Sequence, residues 1–327
     1  MLKNGKISEN ILKRSVLKQI RTKGEEVIVG PFAGGDYSAV NGLEDVIVSS
    51  INPVVLYEIS DIKRGINTVC NDIAVSGATI KGILASVLLP LGSEERDIKN
   101  IMSYLETEAK VLDINIIGGH TEVLDAVNKP VITLSGIGEV RKEDLICMRN
   151  AKPSDDIILT KWVGLEGTSI IAKDKEESLK NKFSMAFVDT ACDFSKYLSI
   201  VEEANIVKKL SISGMHNASR DGIFANLWEI GEAARCGLEV DLLSIPLRQE
   251  TVEICEEYSI NPYELLSGGC LIITASNGED IVRTLMSEGI NAKVIGKLTE
   301  GNDRVLVNGD ERRFLEPPKT DEIYKIR

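Results

Sequence analysis

The sequence predicts a mixed α/β (α+β) fold arranged as two domains, and three observations carry that prediction. The chain has 327 residues, enough for two separate hydrophobic cores. Short apolar strand runs alternate with helical stripes, as in Ile59, Ile62, Ile66, Val69 and Ile73 followed by the run from Ile83 to Leu89. The pattern then stops in a charged stretch from Arg141 to Asp156 that contains Pro153, and restarts beyond it. This places the domains at 1–150 and 151–327, each with a mixed sheet and helices.

The elements follow in order. Ser8 is placed to cap a first helix carrying Leu12, Val16 and Ile20 at four-residue spacing, with Gly24 at its end. Val27 to Val29 reads as a short strand, followed by the glycine-rich turn Pro31-Phe32-Ala33-Gly34-Gly35-Asp36 and a strand from Val46 to Ser50. The Ile59–Ile73 stripe closes near Gly77. After the buried strand Ile83 to Leu89, Ser93 caps a helix through Ile98, Ile101, Leu105, Ala109 and Leu112. Ile114 to Ile117 is a strand running into a turn, Gly118-Gly119-His120-Thr121, and Val131 to Val140 alternates as a strand. The second half opens with strand Ile157 to Thr160 and the turn Gly164 to Gly167. Helices Val201–Leu210 and Ile223–Cys236, strand Leu238–Leu243 and helix Thr251–Tyr258 come next. Strand Leu271–Ala275, helix Glu279–Glu288 and strand Lys293–Ile295 complete it.

Bulk properties exclude several classes. The net charge is −12 and no basic block is present, so the chain is not expected to track a nucleic-acid backbone, whose affinity rests on Lys and Arg. The apolar runs are too short to cross a bilayer, and the first residues carry no signal-like apolar segment, so a cytoplasmic protein without a membrane partner is expected. None of the six cysteines stands at Cys-x-x-Cys spacing, so they read as reduced core thiols.

Four polar turns hold the candidate chemistry. They contain Gly34, Gly35 and Asp36; Asn71 and Asp72; Gly118, Gly119, His120, Thr121 and Glu122; and Met215 to Gly222 with His216 and Asn217. Glycines let backbone N–H groups approach an anion, and oxygen ligands from Asp, Asn and Glu suit magnesium on a polyphosphate. Singly, such turns are ordinary tight turns and caps. The only two histidines, His120 and His216, both fall in them and are the acid/base candidates. No Walker loop, dinucleotide fingerprint, nucleophile elbow or His-Glu-x-x-His is present.

Taken in order, these segments resemble the aminoimidazole-ribotide (AIR) synthase superfamily, the PurM-like group that includes thiamine-monophosphate kinase, selenophosphate synthetase and HypE hydrogenase-maturation factors. Cys70 to Ala78 resembles its Asn-Asp helix, Ile116 to Val123 its Gly-Gly turn, and Thr160 to Thr168 the opening of its second domain. Ser213 to Gly222 and Ser267-Gly268-Gly269 resemble its later landmarks, and the likeness is nearest to HypE-like proteins. The resemblance implies a homodimer through a shared barrel of N-terminal strands, ATP with Mg2+, and a possible maturation partner protein. It implies Asp36, Asp72 and Glu122 as metal ligands, with Asn52 in an acid's place. Gly34, Gly35, Asn71, Asp72, Gly118, Gly119, Thr121 and Asn217 would contact the nucleotide, and His216 would lie near the cleft.

The departures matter as much. Only Asp36 stands where the family has two adjacent acids, with Gly35 or Tyr37 replacing the other; Asn52-Pro53 replaces Asp-Pro, and Met215-His216-Asn217 replaces Met-His-Asp. Each Asn keeps an oxygen but removes a charge, which weakens a magnesium site. HypE proper ends in a reactive cysteine, whereas no cysteine follows Cys270, so dehydration of the chain's own tail is not expected. An ATP-dependent maturation or phosphotransfer protein heads the readings. A nucleotide-binding regulatory homodimer comes second, and a purine-pathway cyclo-ligase or thiamine-phosphate kinase last.

Overall fold

The computed structural model describes residues 9–20, 24–317 and 319–326. Ser8 lies outside them. The expected first helix is one α-turn, Glu9–Ile11 (α1), continued by a π-helix at Leu12–Val16 and a 3-10 turn at Leu17–Gln19. None of these residues is buried, so no core contact enforces a regular α-helix over the stripe. Polar contacts hold the segment instead: Lys13 pairs with Glu9 and Glu232, and Trp228 Nε1 donates to Glu9 at 2.7 Å.

The chain divides into two compact units. One comprises 24–30 and 36–145; the other takes in 31–35 and 146–327 together with the N-terminal segment.

The first unit holds six strands, β1 (Val27–Val29), β2 (Ser38–Asn41), β3 (Val46–Val55), β4 (Thr79–Leu89), β5 (Ile116–Val123) and β6 (Val131–Val140), in the order β1-β2-β3-β6-β4-β5. Neighbours are antiparallel except β4 and β5, which are parallel and joined through a helix, as parallel pairs require. Two helices, α2 (Asp61–Ala74) and α3 (Glu95–Val111), accompany the sheet, and α2 packs on β3, β4 and β6. Ile132 and Leu134 of β6 are buried on one face, alternating with partly exposed residues. Gly136 and Gly138 continue that face: a Cβ on Gly136 would lie 2.5 Å from Val69 and Ile73 of α2, so the missing side chain lets helix and sheet close up. Each of Ile62, Ile66, Val69 and Ile73 is fully buried, worth about 1.5–3 kcal/mol apiece. The cap of α3 is not Ser93, whose hydroxyl donates to Pro90 O; Glu94 and Asp97 form a capping box one residue later.

The second unit holds seven strands: β7 (Asp156–Thr160), β8 (Gly214–Ala218), β9 (Gly237–Asp241), β10 (Cys270–Ala275), β11 (Ala292–Thr299), β12 (Arg304–Asn308) and β13 (Glu311–Phe314). Their order is β13-β12-β9-β11-β7-β10-β8, antiparallel except for β12 beside β9. The helices are α4 (Leu165–Asp174), α5 (Glu176–Lys180), α6 (Met185–Asp193), α7 (Val201–Val207), α8 (Gly222–Ala234), α9 (Gln249–Glu257) and α10 (Gly278–Ser287). One core joins α8 to the sheet through Ile223, Leu227 and Ile230 against Ile157, Leu238 and Ile272; another gathers α4, α6 and α9 around Ile171, Val188 and Ile254.

Two expected turns are strands. Gly118 to Glu122 lies inside β5 rather than after it, and Met215 to Ala218 is β8. Gly119 is required there, since a Cβ would meet Ala85 O at 1.9 Å. The helices at 176–193 and the β12–β13 hairpin were not expected. No described helix is long and apolar enough to cross a membrane.

Candidate functional site

In the first unit the candidate residues gather where α2 lies on β3. Ser50 Oγ donates to Asp72 Oδ2 at 2.8 Å, carrying the carboxylate down to the strand. Asn52, two residues along β3 and so on the same face as Ser50, is buried, as is Asn71 beside Asp72 on α2. Burial, with the Asp72 charge adding, pushes the neighbouring Cys70 thiol up to about 12. Asp36, half-buried just before β2, belongs to the same unit.

Glu122 does not join this group within one chain. Asn52 pairs with Leu134, Leu134 with Ala85 and Ala85 with Gly119, so Gly119 and Thr121 face the helix side of the sheet. Gly118, His120 and Glu122 face the other side, and β5 lies three strands from β3, roughly 14 Å away. His120 and Glu122 are exposed and touch each other, Nε2 to Oε2 at 3.2 Å. Among the described residues no three of His, Cys, Asp and Glu are placed to hold a metal ion. The oxygen set of Asp72, Ser50 and Asn52 matches magnesium carried on a polyphosphate, which needs one or two carboxylates, and does not make an all-protein cage.

The second unit builds its own polar centre around His216. Strand β8 is an edge strand, yet all five of its residues are buried. His216 and Asn217 are consecutive on it and point to opposite faces. His216 Nε2 lies 3.0 Å from Asn226 Oδ1 and 3.5 Å from Glu229 Oε2, both on α8. The loop of Gly34 and Gly35 reaches the same helix. Gly34 has φ +78°, and a Cβ there would stand 2.5 Å from Glu229 O, so only glycine fits this approach without strain. Phe32 anchors the loop in the core, with the Arg149 guanidinium 3.9 Å over its ring.

Three segments that lie far apart in sequence meet near the start of α8. Ser267 N donates to Ser219 O, Gly164 N donates to Ser267 Oγ, and Gly167 N donates to Leu266 O. Asp321, from the end of the chain, accepts from Asp221 N (2.6 Å), Leu266 N (3.3 Å) and Ile323 N (3.0 Å). Burial pushes its carboxyl up to about 7, against the pull of those N–H donors. Sequence reasoning missed Asn226, Glu229 and Asp321. For the first two a signal existed: they stand three apart, followed three residues later by Glu232, on one side of a helix whose other residues are apolar or small.

Fold and site define a two-unit α+β protein with one polar centre under a helix in each unit. The chain belongs to the AIR synthase-related family: the family's N-terminal domain matches residues 57–140 and its C-terminal domain residues 152–308, together more than half of the sequence. A Methanocaldococcus jannaschii protein named for hydrogenase expression/formation is 24% identical, covering 98% of this chain and 97% of its own length. Carbamoyl dehydratase HypE of Rhodobacter capsulatus is 26% identical over 69% of this chain and 66% of that one. A HypE–HypF complex superposes with a TM-score of 0.76 at 17% identity, over 94% of this chain and 99% of that one. A HypE solved with ATP gives 0.71 at 17%, over 98% of both chains. The chain therefore shares the PurM-like fold of these solved structures.

Proposed function

We propose that this chain is an ATP-binding, HypE-like maturation protein that works as a homodimer and uses ATP to activate an oxygen of its acceptor. The carrying observation is Asp72, whose carboxylate is fixed by the Ser50 hydroxyl in a fold shared with a HypE solved in complex with ATP. In this reading Asp72 and Asp36 hold magnesium, with Asn52 as a neutral oxygen donor. When bound, that ion neutralises charge on the transferring phosphate. Gly34, Gly35, Asn71, Gly118, Gly119, Thr121 and Asn217 are the proposed nucleotide contacts. His216, with its two partners on α8, is the better acid/base candidate of the two histidines.

The homodimer is supported by β5, an edge strand almost wholly exposed on both faces, and by Ile51, Leu84 and Ile117 standing exposed in the same sheet. A second copy would cover the unpaired strand edge. A maturation partner is part of the reading by likeness to the HypE–HypF complex.

A second reading, a nucleotide-binding homodimer without turnover, is supported by Asn52, Asn217 and Tyr37, which stand where the resemblance leads one to expect acids. Titration calorimetry of ATP with and without magnesium, on the wild type and Asp72→Ala, tests the first. Magnesium-dependent binding abolished by the substitution supports it. No binding of ATP or ADP sinks both readings, and binding without hydrolysis under a panel of acceptors leaves the second.

A further inference from the structure

The side-chain amide of Asn226 has only one orientation that its surroundings accept. Its Nδ2 faces two carbonyl oxygens, Gly222 O at 2.6 Å and Arg220 O at 3.3 Å. Its Oδ1 faces the N–H of Ser219 at 3.3 Å and His216 Nε2 at 3.0 Å. Reversing the amide would set oxygen against two carbonyls and an NH2 against the Ser219 N–H, three repulsive contacts in place of hydrogen bonds. The oxygen therefore points at the histidine.

That orientation dictates the proton arrangement of the ring. An amide oxygen only accepts, and the second group near the same nitrogen, Glu229 Oε2 at 3.5 Å, is a carboxylate oxygen. Two acceptors converge on Nε2, so Nε2 carries hydrogen. His216 is 1% exposed, so bulk water does not compete for that nitrogen. In a neutral imidazole the other nitrogen then holds the lone pair.

We propose that Asn226 is the positioning residue that fixes His216 as its Nε2–H tautomer, making Nδ1 the ring atom that gains and returns a proton. The inference deepens the reading of His216 as the acid/base group and rests on it for its use in catalysis. In the step, the Nδ1 lone pair would take the proton of an acceptor hydroxyl as that oxygen bonds to the terminal phosphorus of ATP and the phosphorus–oxygen bond to ADP breaks. The ring would become a cation with Nε2–H still directed at Asn226 and Glu229, and Nδ1 would later return the same proton to a phosphate oxygen of the products. No further reactant is required.

The tautomer is read by nitrogen NMR on histidine-labelled protein without nucleotide, with the ring titrated to its neutral form. The chain has two histidines, so a His120→Gln variant assigns the spectrum. The wild type is expected to show a protonated-type shift at Nε2 and an unprotonated-type shift at Nδ1. Asn226→Asp keeps an acceptor and should retain that pattern, whereas Asn226→Leu should show a mixture of tautomers. An Nδ1–H tautomer in the wild type overturns the proposal. So does an unmixed Nε2–H tautomer in Asn226→Leu, which would assign the role to Glu229 alone. Should Asn226→Leu not fold, the wild type and Asn226→Asp still decide. Because no nucleotide is present, failure here leaves ATP binding untouched, and failure to bind ATP leaves the tautomer result standing.

Discussion

Lys161 and Glu203 form an ion pair from which water is almost excluded, their side chains being 12% and 3% exposed. The ammonium also donates to Tyr197 O, Ser199 O and Gly269 O, so one lysine ties the end of β7 to two distant loops. Its backbone sits at φ +57°, an uncommon conformation for a residue with a side chain, and these four contacts hold it there.

Removing one partner of that pair leaves a buried charge uncompensated. Glu203→Leu is expected to destabilise the protein by about 3–5 kcal/mol, and Lys161→Met by a similar amount. Urea unfolding of each variant measures this. A loss below about 1 kcal/mol, the value of an exposed pair, would show that water reaches the site.

Two glycines with the same backbone sign separate strain from contact. Gly92 (φ +89°) has nothing within 4 Å of an added Cβ, whereas Gly34 (φ +78°) would meet Glu229 backbone at 2.5 Å. Gly92→Ala should cost about 1–2 kcal/mol from conformation alone. Gly34→Ala should cost more and loosen the 31–35 loop from α8, seen as faster amide exchange there. Equal costs would show that the loop does not rest on the helix.

Asp321 gives the second unit a pH dependence. Its carboxyl titrates near 7 when folded, raised mainly by burial and further by Asp221, against 3.8 ordinarily. Between those values the folded state binds more protons than the unfolded one, so this group's stability contribution is complete below about pH 4 and is lost as pH rises through about 7. The slope reaches at most about 1.4 kcal/mol per pH unit. Thermal melts of wild type and Asp321→Asn across that window should differ by this slope. Parallel curves would mean that the N–H donors keep the carboxylate ionised.

Ser50 orients Asp72 without carrying charge. Ser50→Ala should weaken magnesium-dependent ATP binding by roughly tenfold or more, the loss of about 1.5–3 kcal/mol for one hydrogen bond to a charged group. Asp72→Ala should abolish it. Calorimetry compares the two, and an unaffected Ser50→Ala would show that the contact is structural only.

Much of the architecture was legible in the sequence because burial imposes period. The β6 strand follows strict alternation and falls where expected, at Val131–Val140, and the Ile62–Ile73 stripe becomes α2. The Gly118–Glu122 segment misled because paired glycines usually signal a turn, whereas here Gly119 serves close strand pairing against Ala85. The N-terminal stripe misled because periodicity predicts a helix only when its apolar face has something to cover. In the candidate site, Asp72 and His216 were visible as residue types in suggestive company. Asn226 left only its three-residue spacing to Glu229, and Asp321 left nothing, since its partner Asp221 lies 100 residues away. Contacts across such separations leave no local pattern.

The N-terminal segment packs on α8, Lys13 and Glu232 standing 219 residues apart. A ribosome adds about 5–20 residues each second, so the first residues made wait roughly 10–40 s before their partners exist. During that interval residues 36–145 are completed and free to fold, while the larger unit still lacks most of its sheet. Neither unit corresponds to one uninterrupted stretch of gene, so an expression fragment cut near residue 145 would carry α1 and the Gly34 loop away from the helix that holds them.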